Sequence, residues 1–244
     1  MRVIICLLVI GISLTAVAQH DKDHDQDNKK ERFKKFMPYM TRTLGGSFQS
    51  FDAINARVAN LPQYEQLKDY AATIGLGWLK EKNQFVSSGA INLGSSMSGH
   101  RDEKSSTIRY IGVNLNLGYD VIKSDRFMLY PLAGLGLQKY QAIFYKDNSA
   151  VSFNEVLQSP TVQNNISSVK FNNAFALYRF GLGFSVKAPK YPAAIGIEAG
   201  YTGSFKKHEW RSNEDQTLAN APEDRVSQFF VSLVLMSKPF SMMR

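Results

Sequence analysis

The chain has 244 residues, a formal net charge of +8 and a hydrophobic content of 44%. This length fits one large β-domain or two small ones, and beyond the N-terminus no segment approaches the roughly 18 apolar residues of a membrane-spanning helix. The 29 lysines and arginines are dispersed along the chain. That pattern gives no support to a nucleic-acid partner and is better matched by anionic lipid headgroups.

The N-terminus has the features of a secretory signal. Arg2 precedes an apolar stretch at residues 3–17, and a small residue, Ala18, stands before Gln19. This arrangement is typical of a cleaved signal peptide, which we place at residues 1–18. The alternative is an uncleaved anchor helix. Export through the inner membrane follows from the first interpretation.

Residues 19–38 are charged and show no periodicity, so they are predicted to form a disordered periplasmic leader. His20 and His24 lie on this leader, where no fixed geometry would hold a metal ion. The one cysteine, Cys6, lies inside the predicted signal. The mature chain is therefore expected to have no disulfide and no cysteine-ligated metal, and nothing in the sequence calls for a cofactor.

The remaining chain, residues 39–244, is predicted to be one β-domain. Apolar and polar residues alternate with a period of two in eight segments, which indicates strands with one apolar face. The predicted strands are residues 39–51, 70–79, 85–96, 107–121, 127–145, 170–187, 193–210 and 226–238.

Between the first two strands, residues 52–67 are predicted to contain a short helix. Asp52 is suited to cap its N-terminus, Ile54, Val58 and Leu61 share one face, and Pro62 would end it. A helix with one apolar stripe could fold over the end of its own β-domain or contact a partner.

The two faces of the strands differ sharply in chemistry. One face is apolar without interruption, and the other carries glycine, asparagine, arginine and glutamate, too polar for the core of a water-soluble sandwich. We therefore predict an eight-stranded antiparallel transmembrane up-and-down barrel with lipid outside and a polar lumen. The residues predicted to face lipid are Ile111, Val113, Leu115, Leu117, Tyr178, Phe180, Leu182, Phe184, Ile195 and Ile197.

The lumen is where chemistry could be located. Arg179 and Glu198 fall on the polar faces of neighbouring strands, and an unpaired charge in a confined space is costly, so the two are predicted to pair. Asn114, Asn116, Tyr110 and Thr202 would join the same network. The pair could gate a narrow pore or could simply fill an eight-stranded barrel, whose interior is just wide enough for side chains.

The links between strands also fit a transmembrane barrel. The shortest links are residues 80–83, 123–125 and 188–192, and the longest are residues 147–169 and 211–225. Short turns at one rim and long loops at the other are typical of these barrels, with the short turns in the periplasm. Aromatic residues fall near both rims, as in interfacial girdles: Trp78, Phe85, Tyr119, Phe127, Tyr130 and Phe184 at the short-turn end, and Tyr201, Phe205 and Trp210 at the other.

No catalytic constellation is evident. His100 and His208 fall on links of the same rim, near serines such as Ser98 and Ser204, but the chain has no G-x-S-x-G or H-E-x-x-H motif. The sequence therefore does not predict an enzyme.

Several motifs carry a family resemblance: Leu44-Gly45-Gly46, the helix start Asp52-Ala53-Ile54-Asn55, and the stretch Tyr130-Pro131-Leu132-Ala133-Gly134. The chain resembles small outer-membrane β-barrel proteins, in particular the eight-stranded OmpA/OmpX-like barrels of Bacteroidota-type bacteria. This resemblance implies contact with outer-membrane lipid and insertion by a barrel-assembly machinery that reads the last strand. That strand fits only loosely, because four residues follow Phe240.

Three functional hypotheses follow. The leading one is a non-enzymatic outer-membrane barrel with an envelope-structural or surface-interaction role, meeting an unknown extracellular or envelope partner through its long loops. The second is a narrow pore for ions or small solutes. The third is a periplasmic lipocalin-like carrier of an apolar ligand, which would require apolar residues to face inward.

Overall fold

A computed structural model of the protein describes residues 38–100, 103–188 and 193–238. The predicted signal peptide, nearly all of the predicted leader and Phe240 lie outside these residues. In the described part of the chain, no helix has the length and hydropathy needed to span a bilayer.

The elements alternate between long strands and links that carry short helices or strands. In chain order they are β1 (Tyr39–Gln49), α1 (Asp52–Ala59), β2 (Tyr70–Lys82), β3 (Phe85–Gly99), β4 (Ser105–Tyr119), β5 (Phe127–Tyr145), α2 (Phe153–Gln158), α3 (Pro160–Ile166), β6 (Val169–Lys187), β7 (Ala193–Ser204), β8 (His208–Glu209), β9 (Arg211–Ser212), β10 (Glu223–Asp224) and β11 (Ser227–Ser237).

The eight long strands, β1 to β7 and β11, form a closed antiparallel barrel. Each pairs with its neighbours in chain order, and the ends of the sheet meet because β1 pairs with β11, from Met40–Ser237 to Gln49–Gln228. The two-residue strand β9 adds to β6, and β8 pairs with β10 beside the barrel. The predicted eight-stranded up-and-down barrel and the helix in its first long link are thereby confirmed.

The outer wall of the barrel is apolar. Leu115 and Leu117 on β4 are 66% and 70% exposed, and comparable side chains line all eight strands. The residues predicted to face lipid lie on this wall. Tyr178 is the least exposed of them, since its ring packs against Phe180, Tyr201 and Phe205.

The lumen is less uniformly polar than the alternation suggests, because apolar side chains fill both of its ends. At the long-loop end lies the mouth cluster, formed by Phe51, Ile54, Val58, Leu67, Ala71, Ile108, Tyr110, Tyr140, Ala142, Phe144, Phe175, Leu177, Trp210 and Val226. At the short-turn end lies the base cluster, formed by Leu79, Val86, Met128, Tyr130, Leu132, Val234 and Met236. A polar layer separates the two.

The first long link differs in detail from its prediction. Helix α1 ends at Ala59 rather than at Pro62, and Phe51 rather than Asp52 occupies the N-cap position. Ile54 and Val58, on the predicted apolar face, are buried against the barrel, but Leu61 lies beyond the helix and is exposed. The N-terminal amides of α1 are bound by a carboxylate from another loop instead.

The other links also correct the sequence interpretation. The seventh strand ends at Ser204, and residues up to Trp210 form part of the loop. The link between β3 and β4 covers only residues 100–104, because both strands extend further than predicted, so it is shorter than the link at residues 120–126 of the opposite rim. Helices α2 and α3 in the third long link are not predicted by the sequence pattern.

Two aromatic residues assigned to the girdles lie inside the barrel. Tyr130 and Trp210 are each 1% exposed, one in the base cluster and the other in the mouth cluster. Their hydroxyl and indole groups find hydrogen-bond partners there, which allows a polar-tipped ring to be buried. Phe85, Tyr119 and Phe127 do lie on the outer surface at the short-turn rim.

Candidate functional site

The polar layer brings together side chains from both halves of the barrel. Arg179 on β6 and Thr202 on β7 are direct partners across the two strands, and Glu198 lies four residues before Thr202 on β7. The Arg179 guanidinium lies 3.6 Å from Oε2 of Glu198. The predicted pair is therefore present in the structure, and its side chains are 15% and 11% exposed.

Two aromatic residues complete the surroundings of this pair. The Arg179 guanidinium lies 3.6 Å from the ring centroid of Phe230, close enough for a cation–π contact. The Tyr130 hydroxyl donates to Oε1 of Glu198 over 2.8 Å. The Glu198 carboxylate is thus bound from two sides, as a charge held away from water requires. Neither aromatic residue is identified as a partner of the pair by the sequence.

The asparagines of β4 form a second part of the layer. Nδ2 of Asn116 donates to Oγ of Ser88 over 3.1 Å and to Oδ1 of Asn114 over 3.2 Å. Tyr110, also predicted for this network, lies higher in the lumen, where its ring packs against Tyr140. Tyr110 therefore joins the mouth cluster to the polar layer.

A small cavity lies within the polar layer. Its volume is about 50 Å³, and its lining includes Asn116, Arg179, Glu198, Thr202 and Gln228. Since a water molecule occupies about 30 Å³ of liquid, the cavity has room for one or two waters between these polar groups. A space of this size does not form a channel through the described part of the lumen.

Tyr140 extends the hydrogen bonding upward into the mouth cluster. Its hydroxyl lies 2.7 Å from the Gln138 side-chain oxygen, 2.9 Å from that of Gln49 and 3.3 Å from that of Gln228. The ring above packs edge-on against Phe51 and Phe175. The polar layer therefore passes directly into a packed aromatic core.

The long loops are joined above this core by one buried carboxylate. Asp224, on β10, accepts hydrogen bonds from the backbone amides of Ala53 and Ile54 at the start of α1. It also accepts one from Nε1 of Trp210. Helix N-terminal amides are left unpaired by the helix itself, so this carboxylate caps α1 from a distant loop. We call the assembly of α1, Trp210 and Asp224 the loop cap.

The short-turn rim is fixed by two further features. Asn83 and Gln84 form a tight turn with positive φ values of 51° and 69°, and Gln84 Nε2 donates to the Asp120 carbonyl. Nζ of Lys187 on β6 and Oε2 of Glu81 on β2 form an ion pair of 2.6 Å. Since β2 and β6 are not adjacent in the sheet, this pair crosses the base of the barrel and ties its two sides together.

Two of the residues weighed for catalysis, Ser204 and His208, are engaged in structural contacts. The Ser204 hydroxyl donates to the Lys206 carbonyl and accepts from the Val226 amide. The His208 ring packs edge-on against Phe175. Within the described residues, no group of three or more histidine, cysteine, aspartate or glutamate side chains is arranged to hold a metal ion.

Solved structures of small outer-membrane β-barrels are similar to this chain. Ail, the attachment invasion locus protein of Yersinia pestis, is 14% identical with a TM-score of 0.45, over 82% of this chain and 96% of Ail. Neisserial surface protein A is 10% identical with a TM-score of 0.45, over 82% and 97% of the two chains. A major outer membrane protein from Thermus thermophilus is 6% identical with a TM-score of 0.46, over 81% and 98%.

Ail has also been solved in complex with the heparin analogue sucrose octasulfate. No family model and no curated protein matches the chain.

Proposed function

We propose that the chain is a non-enzymatic outer-membrane β-barrel with an envelope-structural or surface-interaction role in a Gram-negative bacterium, of the OmpA/OmpX-like kind found in Bacteroidota-type bacteria. The observation that carries this proposal is the apolar outer wall, which runs over all eight strands. A water-soluble protein rarely exposes more than a few hundred Å² of contiguous apolar surface. In a bilayer, the same wall is buried in hydrocarbon.

The proposed orientation places the short turns in the periplasm and the long loops outside the cell. Cleavage after residue 18 and a periplasmic leader up to residue 38 belong to this proposal, as does insertion of residues 39–244 by the barrel-assembly machinery. Both ends of the barrel domain then lie on the periplasmic side, because an even number of strands returns the chain to the rim where it began.

The loop cap supports a role in surface interaction. Phe51, Trp210 and Val226 are each 1% exposed, so the loops that carry them are anchored in the mouth cluster. An anchored loop presents its outward residues in a fixed arrangement, which reduces the entropy lost when a partner binds. An extracellular or envelope partner is proposed to meet this surface.

Cell fractionation combined with a heat-modifiability gel tests the membrane assignment. The protein should appear in the outer-membrane fraction, and the unboiled sample should migrate differently from the boiled one because the folded barrel resists detergent. Recovery of the protein in the soluble fraction with no such shift would contradict the proposal.

A narrow pore is the second candidate, and the small cavity in the polar layer is the observation that favours it. The clusters above and below that layer oppose it, since they fill the lumen with side chains such as Tyr140 and Leu79. Single-channel recordings of refolded protein distinguish a conducting pore from a lumen filled by side chains. The pore is excluded if the wild type and an Arg179→Ala variant both fail to conduct.

A periplasmic lipocalin-like carrier is the third candidate, and it requires a polar outer surface because it would be soluble in water. Leu115 faces out and Asn116 faces in, so they form a matched pair for its test. In the membrane proposal, Leu115→Asp should impair insertion severely and Asn116→Asp more mildly. The reverse ranking would favour the carrier.

A further inference from the structure

We propose that a groove on the outer wall of the barrel, at the long-loop rim, binds the phosphorylated headgroup of an outer-leaflet lipid whose acyl chains lie on the apolar wall below. This inference deepens the proposed function and rests on its membrane placement. It concerns a surface that is separate from the lumen and from the loop cap.

The groove crosses β3, β4 and β5 where these strands meet the long-loop rim. Small hydroxyl side chains, Ser105 and Thr107, form its floor, and both are buried by the larger residues around them. Met97 and Tyr145 flank the floor. The groove has a volume of about 650 Å³, which falls in the range of small-molecule sites.

Two cations that pair with no carboxylate of the described residues line the groove. Arg109 is exposed and Lys146 is half-buried, and within the described residues neither forms an ion pair with a carboxylate. The nearest carboxylate along the chain, that of Asp147, accepts a hydrogen bond of 2.9 Å from the backbone amide of Ser149. Together with Asn148, these residues offer several donors to an anion.

The other clefts of the same rim differ in charge. The cleft beside Lys139 contains Asp215, Glu209 and Glu223, and Lys139 itself pairs with Asp215 over 3.3 Å. The cleft beside α1 contains Asp52, Glu223 and Asp224 among its lining residues. Their cations are therefore offset by acids, whereas the described residues that line the groove on β3 to β5 include no carboxylate.

The position of the groove selects a lipid over a soluble anion. Ile111, 53% exposed, follows Arg109 on the same face of β4, and its cross-strand neighbour Leu93 is 46% exposed. Two residues of a strand span about 7 Å, so the cations stand directly above the apolar wall. This is the order in which a membrane lipid presents its acyl chains and its phosphate.

The test uses the full chain refolded in a neutral maltoside detergent, with lipid binding followed by native mass spectrometry. The probes are phosphatidic acid and diacylglycerol with the same acyl chains, together with inorganic phosphate. The wild type should prefer phosphatidic acid over diacylglycerol by about tenfold, since only the phosphate of phosphatidic acid can accept charge-assisted hydrogen bonds. The double variant Arg109→Ala/Lys146→Ala should lose most of this preference.

A second double variant, Lys206→Ala/Arg225→Ala, is the matched control, because it removes the same charge from exposed positions of the same rim outside the groove. It should bind like the wild type. Equal losses in both double variants would show attraction to overall charge and would overturn the site, as would a wild type that does not distinguish the two lipids.

Competition by inorganic phosphate at the concentration at which phosphatidic acid binds would also overturn the lipid assignment, because it would indicate a site for free anions. The heat shift of each variant is measured in parallel. A wild type that stays soluble and shows no shift overturns the proposed function and the site together, whereas an inserted barrel without lipid preference overturns the site alone.

Discussion

Trp210 and Asp224 are joined inside the loop cap by a hydrogen bond of 2.8 Å from the indole Nε1 to Oδ2. The same carboxylate accepts from the amides of Ala53 and Ile54, which are 171 and 170 residues away along the chain. One side chain thus connects the first long loop of the barrel to the last.

Replacing Asp224 with alanine should loosen the cap while leaving the barrel closed. The change removes a helix cap, which contributes about 1 kcal/mol, and leaves the buried Trp210 indole without an acceptor, at a cost of about 1–3 kcal/mol. We expect faster hydrogen exchange in α1 and a red shift of tryptophan fluorescence. The heat shift on gels should persist.

Asp215→Ala is the matched control for this change. Asp215 also accepts a charge-assisted contact, from Lys139, but both side chains are more than half exposed. Exposed pairs contribute little, so exchange in α1 should stay at the wild-type rate. Equal effects of the two variants would contradict a specific role for Asp224.

The buried pair in the lumen should show strong coupling. Removing Arg179 or Glu198 alone leaves a charge without its partner, and we expect a loss of about 3–5 kcal/mol in the free energy of unfolding. The double variant Arg179→Met/Glu198→Leu should be less destabilised than the sum of the single variants. Urea unfolding in lipid vesicles measures all three, and strict additivity would contradict the interaction.

A glycine makes room for the Tyr130 ring. A Cβ atom added at Gly183 would overlap that ring, so Gly183→Ala should displace Tyr130 and break its hydrogen bond to Glu198. We expect a lower urea midpoint, and we expect a second change, Tyr130→Leu, to restore part of it. If Tyr130→Leu does not restore the urea midpoint, the destabilisation by Gly183→Ala would arise from a backbone clash and not from the Tyr130 ring.

The outer wall predicts a difference between two exposed leucines. Leu182 lies on the wall at β6, whereas Leu218 lies in the last long loop, and both are exposed. Leu182→Arg should destabilise the barrel in a bilayer by about 2–4 kcal/mol if it lies near the midplane. Leu218→Arg should change stability by less than about 0.5 kcal/mol. Urea titration in phosphocholine vesicles distinguishes them.

The parts of the fold that sequence predicts well are those set by local pattern. The fifth strand is predicted at residues 127–145, with the bounds that the structure gives, because its alternation extends along its whole length. The outward orientation of Leu115 and the inward orientation of Asn116 follow from the same period of two. Turn and loop ends are predicted less accurately, since strands such as β2 continue through charged residues as far as Lys82.

The contacts that sequence could not reveal join distant parts of the chain. Asp224 caps a helix that precedes it by some 170 residues, and no local signal identifies such a partner. Because aromatic residues are frequent at membrane surfaces, the sequence interpretation assigns Tyr130 to a girdle. The period-two alternation along β5 instead places its side chain in the lumen, opposite Gly183. If the alternation of inward and outward positions had been applied to each aromatic residue, it would have identified Tyr130 as an interior side chain.

Phe230 belongs to β11, the strand that pairs with both β7 and β1, and its ring covers the Arg179 guanidinium. Phe230 pairs with Gly200 on β7, the neighbour of the strand that carries Arg179, so the cation has no aromatic cover until β11 pairs with β7. The same strand therefore covers the charge through its β7 side and closes the barrel through its β1 side. A chain truncated before β11 should therefore lack both the cover of Arg179 and the pairing that closes the barrel.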